Sequence, residues 1–481
     1  MVDNGTASGL RYDEWMNESD SVLWHIERDP MLRSTITSVW FLDVAPDRNR
    51  MDAVVDRIVD AVPRLHQRVV DERPGVAPPR WVDDPGVDLD YHYSWTRLAP
   101  RRGDMRDVFD FAQRMGARAF DKDRPLWELC VVEGLADGRA AFVMKVHHAI
   151  ADGLGMVQLL QYMVDLEREG TDPSPVRIDD PAVTDRLRVV APLWAIPGAR
   201  SVTHRLASEA RTGARLGRAT LRTATDLLRA PRRTIEQLGR TTGSIARVVK
   251  PATTPLSPLM TERSLNTDFD AIAVPFADFK AAARAAGGTL NDAFVATTLD
   301  ALRRYHEAKG TRCEEVRMNM PVSIRGGDSA SQFDNQFVPA RMVLPLRDVD
   351  PATRIAEVRA LLRDIREEPA LPHVNDISGV IERLGPAASV SILGSMLKGV
   401  DITTSNVPGP PFPVYMAGSR IGEFFAFGPL AGAAINITLF SYDGRVHLGV
   451  NSDRAAVDDQ PLFITCLRDA LADTLALGTA A

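Results

Sequence analysis

"MKVHHAIADG", Met144–Gly153, is the stretch on which the fold turns. Just upstream, "AAFVMKV" (Ala140–Val146) carries apolar residues on both faces of an extended segment, the pattern of a strand covered on both sides. Downstream, "LGMVQLLQYMVDLE" from Leu154 sets Met156, Leu159, Leu160 and Met163 on one helical stripe. The two histidines therefore stand at the mouth of a buried strand, and Asp152 and Gly153 at the turn into a helix. A neutral imidazole placed there can take a proton near pH 7, and an aspartate can hold the loop through an ion pair or a helix N-cap.

Working outward, strand and helix patterns alternate on both sides of this motif. Before it come strands at "TSVWFLDVA", "RWVDD", "DLDYHYSW" and "LWELCVVEGL", with helices at "RMDAVVDRIVDAVPRL" and "MRDVFDFAQRMGARAF". After residue 264 the alternation resumes. "TLNDAFVATTLDALRRYHEA" reads as a helix opened by Thr289 with Asp292 three residues on, a variant of the capping box. Strands follow at "VRMNMPVSIR" and "VPARMVLPL", and helices at "PATRIAEVRALLRDIREE" and "DISGVIERLG". A hairpin turns on Asp443-Gly444, and "DQPLFITCLRDALADTLAL" is the last helix. The expected organisation is an N-terminal α/β lobe over 1–175, a basic helical connector over 176–263 and a second α/β lobe over 264–481.

Composition narrows the class. With 481 residues, 45% hydrophobic and 25% charged, the chain is that of a globular protein with more than one core. Its three cysteines, Cys130, Cys313 and Cys466, show no metal-ligand spacing, so no metal is expected and a reducing compartment is. The N-terminus lacks the pattern of a secretory signal, and no apolar run approaches the roughly 20 residues that span a bilayer. The net charge of −7 is uneven: from Arg186 to Lys250 there are 13 Arg and one Lys against three acids, which leaves the remainder near −18. Arg211, Arg215, Arg218, Arg222 and Arg229 recur at helical spacing with leucines between them. Such a basic amphipathic helix can lie on an anionic lipid surface or simply cover its neighbours.

At the histidine motif the chain resembles the HHxxxDG acyltransferases, and more narrowly the bacterial wax ester synthase/acyl-CoA:diacylglycerol acyltransferase family. Further stretches agree in order: "PRLHQRVV", "DKDRPLWELCVVEGL", "GGTLNDAFVATTLDALRRY", "MPVSIR", "TTSNVPGPPFPVYMAGSRI" and "INITLFSYDG". The resemblance covers nearly the whole chain. It departs at "YDEWMNESDSVLWHIERDP", which only loosely matches the family's opening segment, and at "DNQF" (Asp334–Phe337), where the family usually has Gly-Asn.

The resemblance implies an α/β fold of two chloramphenicol-acetyltransferase-like, or condensation-domain-like, lobes with mixed sheets flanked by helices. It implies His148 as general base toward an acceptor hydroxyl that attacks the acyl-CoA thioester, with no acyl-enzyme. His147 would shape the loop, and Asp152 beside Gly153 would hold an ion pair, with Arg325 as its candidate partner. Asn291, Asp292, Ser405 and Asn406 are candidate substrate-side donors from the second lobe. Pro125 and Trp127 of "PLW" are further candidates, although Trp127 also reads as core. Acyl-CoA enters as substrate, no cofactor is implied, and the acceptor is diacylglycerol or a long-chain alcohol. The expected place is the cytoplasm, in peripheral contact with the inner face of the membrane or with lipid droplets, and no nucleic acid is expected. Rival readings are a condensation-type enzyme using carrier-bound acyl groups and a catalytically silent homologue that binds acyl-CoA or lipid. Metal binding is disfavoured, because adjacent histidines cannot easily present both rings to one ion.

Overall fold

The run Ala140–His147 is a strand in which every residue is buried. Phe142, Met144 and Val146 enter one core with Trp40, Val54, Ile58 and Leu160, and Ala141 and Val143 enter another with Val39, Phe41 and Phe109. The structure, a computed structural model, describes residues 14–71, 78–98, 103–136, 138–150, 153–170, 254–323, 337–366, 394 and 397–479. The Arg-rich connector helix, the helix at "DISGVIERLG", Asp152, Arg325 and Asp334 lie outside them.

In the first half the order is α1 (Glu18–Ile26), β1 (Thr35–Leu42), α2 (Arg48–Ala61), β2 (Gln67–Val70), β3 (Arg80–Asp83), α3 (Leu89–His92), β4 (Tyr93–Arg97), α4 (Met105–Ala117), β5 (Trp127–Glu133), β6 (Ala140–His147) and α5 (Gly153–Met163). The second half follows as β7 (Thr267–Pro275), α6 (Phe276–Ala285), α7 (Leu290–Ala308), β8 (Glu315–Ser323), β9 (Phe337–Pro345), α8 (Pro351–Arg366), β10 (Ile402–Pro408), β11 (Tyr415–Met416), β12 (Ser419–Phe427), β13 (Ile435–Tyr442), β14 (Arg445–Asp453) and α9 (Gln460–Thr479).

Local chemistry explains most of these boundaries. Asp47, Asp104 and Thr289 cap α2, α4 and α7 with their side chains, and at α7 Asp292 returns a bond to the Thr289 N–H, completing the capping box. The reading of "RMDAVVDRIVDAVPRL" as one helix is shortened: α2 stops at Ala61, because Pro63 cannot continue the ladder and begins a 3-10 turn instead. The reading of "DLDYHYSW" as a strand is corrected. Its first part is the single turn α3, capped by Asp88 and held by His92 stacking on Trp127 at 4.5 Å, and only then does β4 begin.

Two mixed six-stranded sheets result, ordered β11-β12-β1-β6-β5-β4 and β7-β14-β13-β10-β8-β9. Helix α7 is buried almost all round and carries the core of the second sheet together with α6, α8 and α9. The sheets are not partitioned by chain order. β12 leaves the second half and pairs antiparallel with β1, from Thr37↔Phe427 to Leu42↔Ile421. Where it passes β14, Gly449 meets the Ala426 carbonyl so closely that any Cβ would overlap it. Phe427 of β12 stacks on Phe269 of β7 at 4.2 Å with parallel rings, so the two halves share packing as well as a sheet.

Candidate active site

The end of β6 delivers the two histidines. Register with β1 places His147 opposite Thr35, and beyond the paired region the His148 N–H donates to the Ser34 carbonyl at 2.8 Å. The chain then turns, with Ile150 N–H donating to the His147 carbonyl at 2.9 Å. α5 follows, anchored at its far end by Arg57 of α2, whose Nε donates to the Tyr162 carbonyl at 2.8 Å and whose Nη1 lies 3.4 Å from Asp165. A rigid strand before the pair and a tethered helix after it fix where the imidazoles point.

The two rings have different surroundings. His147 is fully enclosed: its Nδ1 accepts the Ala149 N–H at 3.0 Å, its Nε2 lies 2.9 Å from Glu27 Oε1, and Trp24 and Phe120 pack edge-on at 6.1 Å. His148 keeps partial access to solvent, yet enough protein surrounds its ring to push the pKa down to about 4. Burial is the main cause, and the neighbouring His147 adds to it; a hydrogen bond to its own main chain opposes both. Its Nδ1 is buried, which leaves Nε2 as the ring nitrogen that a substrate could reach. At neutral pH the ring is a neutral base.

Glu27 escaped the sequence reading. It ends α1, far from the motif in sequence, and no local pattern marks it. Its Oε1 also accepts the Ser34 N–H at 2.6 Å, and its Oε2 lies 3.5 Å from Lys122 Nζ. Burial opposes its ionisation, but His147, the Ser34 N–H and Lys122 together hold its carboxyl down to about 2. Lys145 did carry a legible mark, a charge inside a buried strand. It is wholly buried, with Nζ 2.5 Å from Glu128 Oε1 and 4.1 Å from the centre of the Phe120 ring.

The remaining candidates fall into two groups. Pro125 is buried at the start of "PLW", and Trp127 lies in the core of β5, its Nε1 donating to the Leu65 carbonyl at 2.7 Å. In the second half, Asn406 of β10 donates to Asn291 of α7 at 3.3 Å, while Asn291 Nδ2 approaches the Met320 sulfur at 3.6 Å. Asp292 is buried in its capping role, Ser405 is half-buried, and Asn406 is exposed. Because α5 packs against β10, the helix that follows the histidine turn adjoins the strand carrying Ser405 and Asn406. Gly153 is the first residue of α5. Among the described residues, no cluster of His, Cys, Asp or Glu could hold a metal ion, and no helix is long and apolar enough to cross a membrane.

Known proteins resemble the chain over nearly its whole length. Residues 16–294 match the wax ester synthase/diacylglycerol acyltransferase catalytic domain, and residues 333–474 match the C-terminal domain of the same family. A putative diacylglycerol O-acyltransferase of Mycobacterium tuberculosis is 35% identical over 99% of this chain and 94% of its own length. The wax ester synthase/diacylglycerol acyltransferase from Marinobacter aquaeolei superposes with a TM-score of 0.64 at 18% identity, over 97% of this chain and all of that one. The first condensation domain of the calcium-dependent antibiotic synthetase shares the fold at a TM-score of 0.56 and 17% identity, over 98% of this chain and 99% of that one. With two domain models that together span most of the chain and a relative 35% identical along nearly all of it, the chain belongs to the wax ester synthase/diacylglycerol acyltransferase family of acyltransferases.

Proposed function

We propose that the protein transfers an acyl group from acyl-CoA to the free hydroxyl of diacylglycerol, forming triacylglycerol, with His148 as general base. The observation that carries this reading is the contrast within the histidine pair. His147 is fully enclosed, its Nδ1 accepting the Ala149 N–H and its Nε2 2.9 Å from the Glu27 carboxylate, whereas His148 keeps partial access to solvent and is neutral at pH 7.

In the first step His148 Nε2 takes the proton of the acceptor hydroxyl as its oxygen attacks the thioester carbonyl. The tetrahedral intermediate then collapses, the C–S bond breaks, and the imidazolium returns the proton to the departing CoA thiolate. The ester and free CoA leave, and no acyl group resides on the enzyme. A negative charge develops on the carbonyl oxygen along the way. The amide of Asn406, exposed and already oriented by Asn291, supplies a donor of the kind that charge needs.

A long-chain alcohol presents the same O–H to His148, so wax ester formation is the second activity of the same site. The name of the Marinobacter neighbour supports carrying both acceptors over. Peripheral docking on a membrane or lipid-droplet surface through the Arg-rich segment 186–250 would bring the site to its lipid acceptor. The test is thiol release from palmitoyl-CoA with diacylglycerol, hexadecanol or no acceptor. Release that depends on diacylglycerol and yields triacylglycerol is expected; release only without an acceptor, or none with either, contradicts the proposal.

A further inference from the structure

Glu27 sits where it can govern the histidine pair without touching a substrate. One carboxylate oxygen meets two groups: Ser34 N–H at 2.6 Å and His147 Nε2 at 2.9 Å. Ser34 in turn accepts the His148 N–H through its carbonyl at 2.8 Å. On its other ring nitrogen, His147 accepts the Ala149 N–H at 3.0 Å. An imidazole nitrogen that accepts a backbone N–H carries no proton, so the ring's proton must be on Nε2, facing Glu27. The opposite tautomer would set two N–H groups against each other at Ala149 and leave a buried carboxylate facing a lone pair. His147 is fully enclosed and Glu27 nearly so, which makes either fault costly.

We infer that Glu27 is a positioning residue of this acyltransferase: its carboxylate selects the Nε2–H tautomer of His147, and that tautomer fixes the turn 147–150 that aims His148. Three bonds shape the turn: the Ala149 N–H to His147 Nδ1, the Ile150 N–H to the His147 carbonyl, and the His148 N–H to the Ser34 carbonyl. Two of these three run to groups that Glu27 holds directly. The inference rests on His148 as the base, and it places the control of that base at the end of α1, in a segment that only loosely matches the family's opening.

Three variants test it: Glu27→Ala, Glu27→Gln and His147→Ala, with the double variant Glu27→Ala/His147→Ala. Glutamine keeps an oxygen that can accept both protons, and alanine keeps none. Glu27→Ala should lower kcat by about 10- to 100-fold with the KM for palmitoyl-CoA unchanged within about twofold, and Glu27→Gln should recover most of the loss. The double variant should be no slower than His147→Ala alone, because Glu27 acts through that ring. In 15N-histidine NMR spectra the wild-type His147 should show one protonated and one bare nitrogen, a distinction blurred in Glu27→Ala. Wild-type turnover in a folded Glu27→Ala, additive losses in the double variant, or equal losses in the Gln and Ala variants would overturn the inference. His148→Ala run in parallel separates the two claims: an active His148→Ala overturns the base assignment and this inference with it, whereas an inactive His148→Ala beside a fully active Glu27→Ala overturns this inference alone.

Discussion

The Ala426 carbonyl of β12 occupies the space into which a side chain at Gly449 of β14 would project. This approach is where a strand from the second half crosses to complete the first sheet, so Gly449 is required by the way the halves interlock and not by its own backbone angle. Gly449→Ala should destabilise the protein by about 1–3 kcal/mol, and Gly449→Val by more, because neither neighbouring backbone can yield without disturbing a sheet. Denaturant unfolding of the two variants measures this; wild-type midpoints in both would show that the crossing is looser than described.

The Lys145–Glu128 pair gives a second stability prediction. Lys145 is wholly buried and its pKa is lowered, chiefly by that burial, against which Glu128 acts. Removing the carboxylate leaves a buried charge without its partner, so Glu128→Ala should cost about 3 kcal/mol. Lys145→Met, which removes the charge and keeps the apolar stem against Phe120, should cost less. Equilibrium unfolding at pH 7 orders the two variants, and the reverse order would contradict the pairing.

Acid should weaken the fold before it protonates most carboxylates. His447 is wholly buried against Phe425 and Tyr442, and burial, helped by Arg445, lowers its pKa from 6.5 to about 4. The unfolded chain therefore binds more protons than the folded one between those values. Stability is fully present above pH 6.5 and is lost as pH falls toward 4, by about 3 kcal/mol from this group. His148 is shifted in the same direction to the same value and adds to the loss. Thermal melts of wild type and His447→Leu between pH 7 and 4.5 should show a flatter acid dependence in the variant.

How much of this was legible in the sequence depended on how local the cause was. The buried strand before the histidines, the α7 capping box and the β13–β14 hairpin are set by residues a few positions apart. Asp443 and Gly444 both have positive φ in the structure, which glycine adopts for want of a Cβ and aspartate more readily than most residues. The single turn α3 was misread because its alternating pattern is that of a strand, whereas the stacking and hydrogen bonding of His92 to Trp127, distant in sequence, join the Asp88 cap in holding it helical. The crossing of β12 and the partnership of Glu27 with His147 were invisible for the same reason. Each joins residues that only the folded chain brings together.

The measurement that bears most directly on the whole account is turnover of His148→Ala with palmitoyl-CoA and diacylglycerol, alongside a thermal melt of the same preparation. His148 is half-buried, and its main-chain N–H, which donates to the Ser34 carbonyl, is retained by alanine, so the fold should survive. The account predicts a wild-type melt with triacylglycerol formation reduced by about 10²- to 10⁴-fold. A folded variant that makes triacylglycerol at the wild-type rate would contradict it.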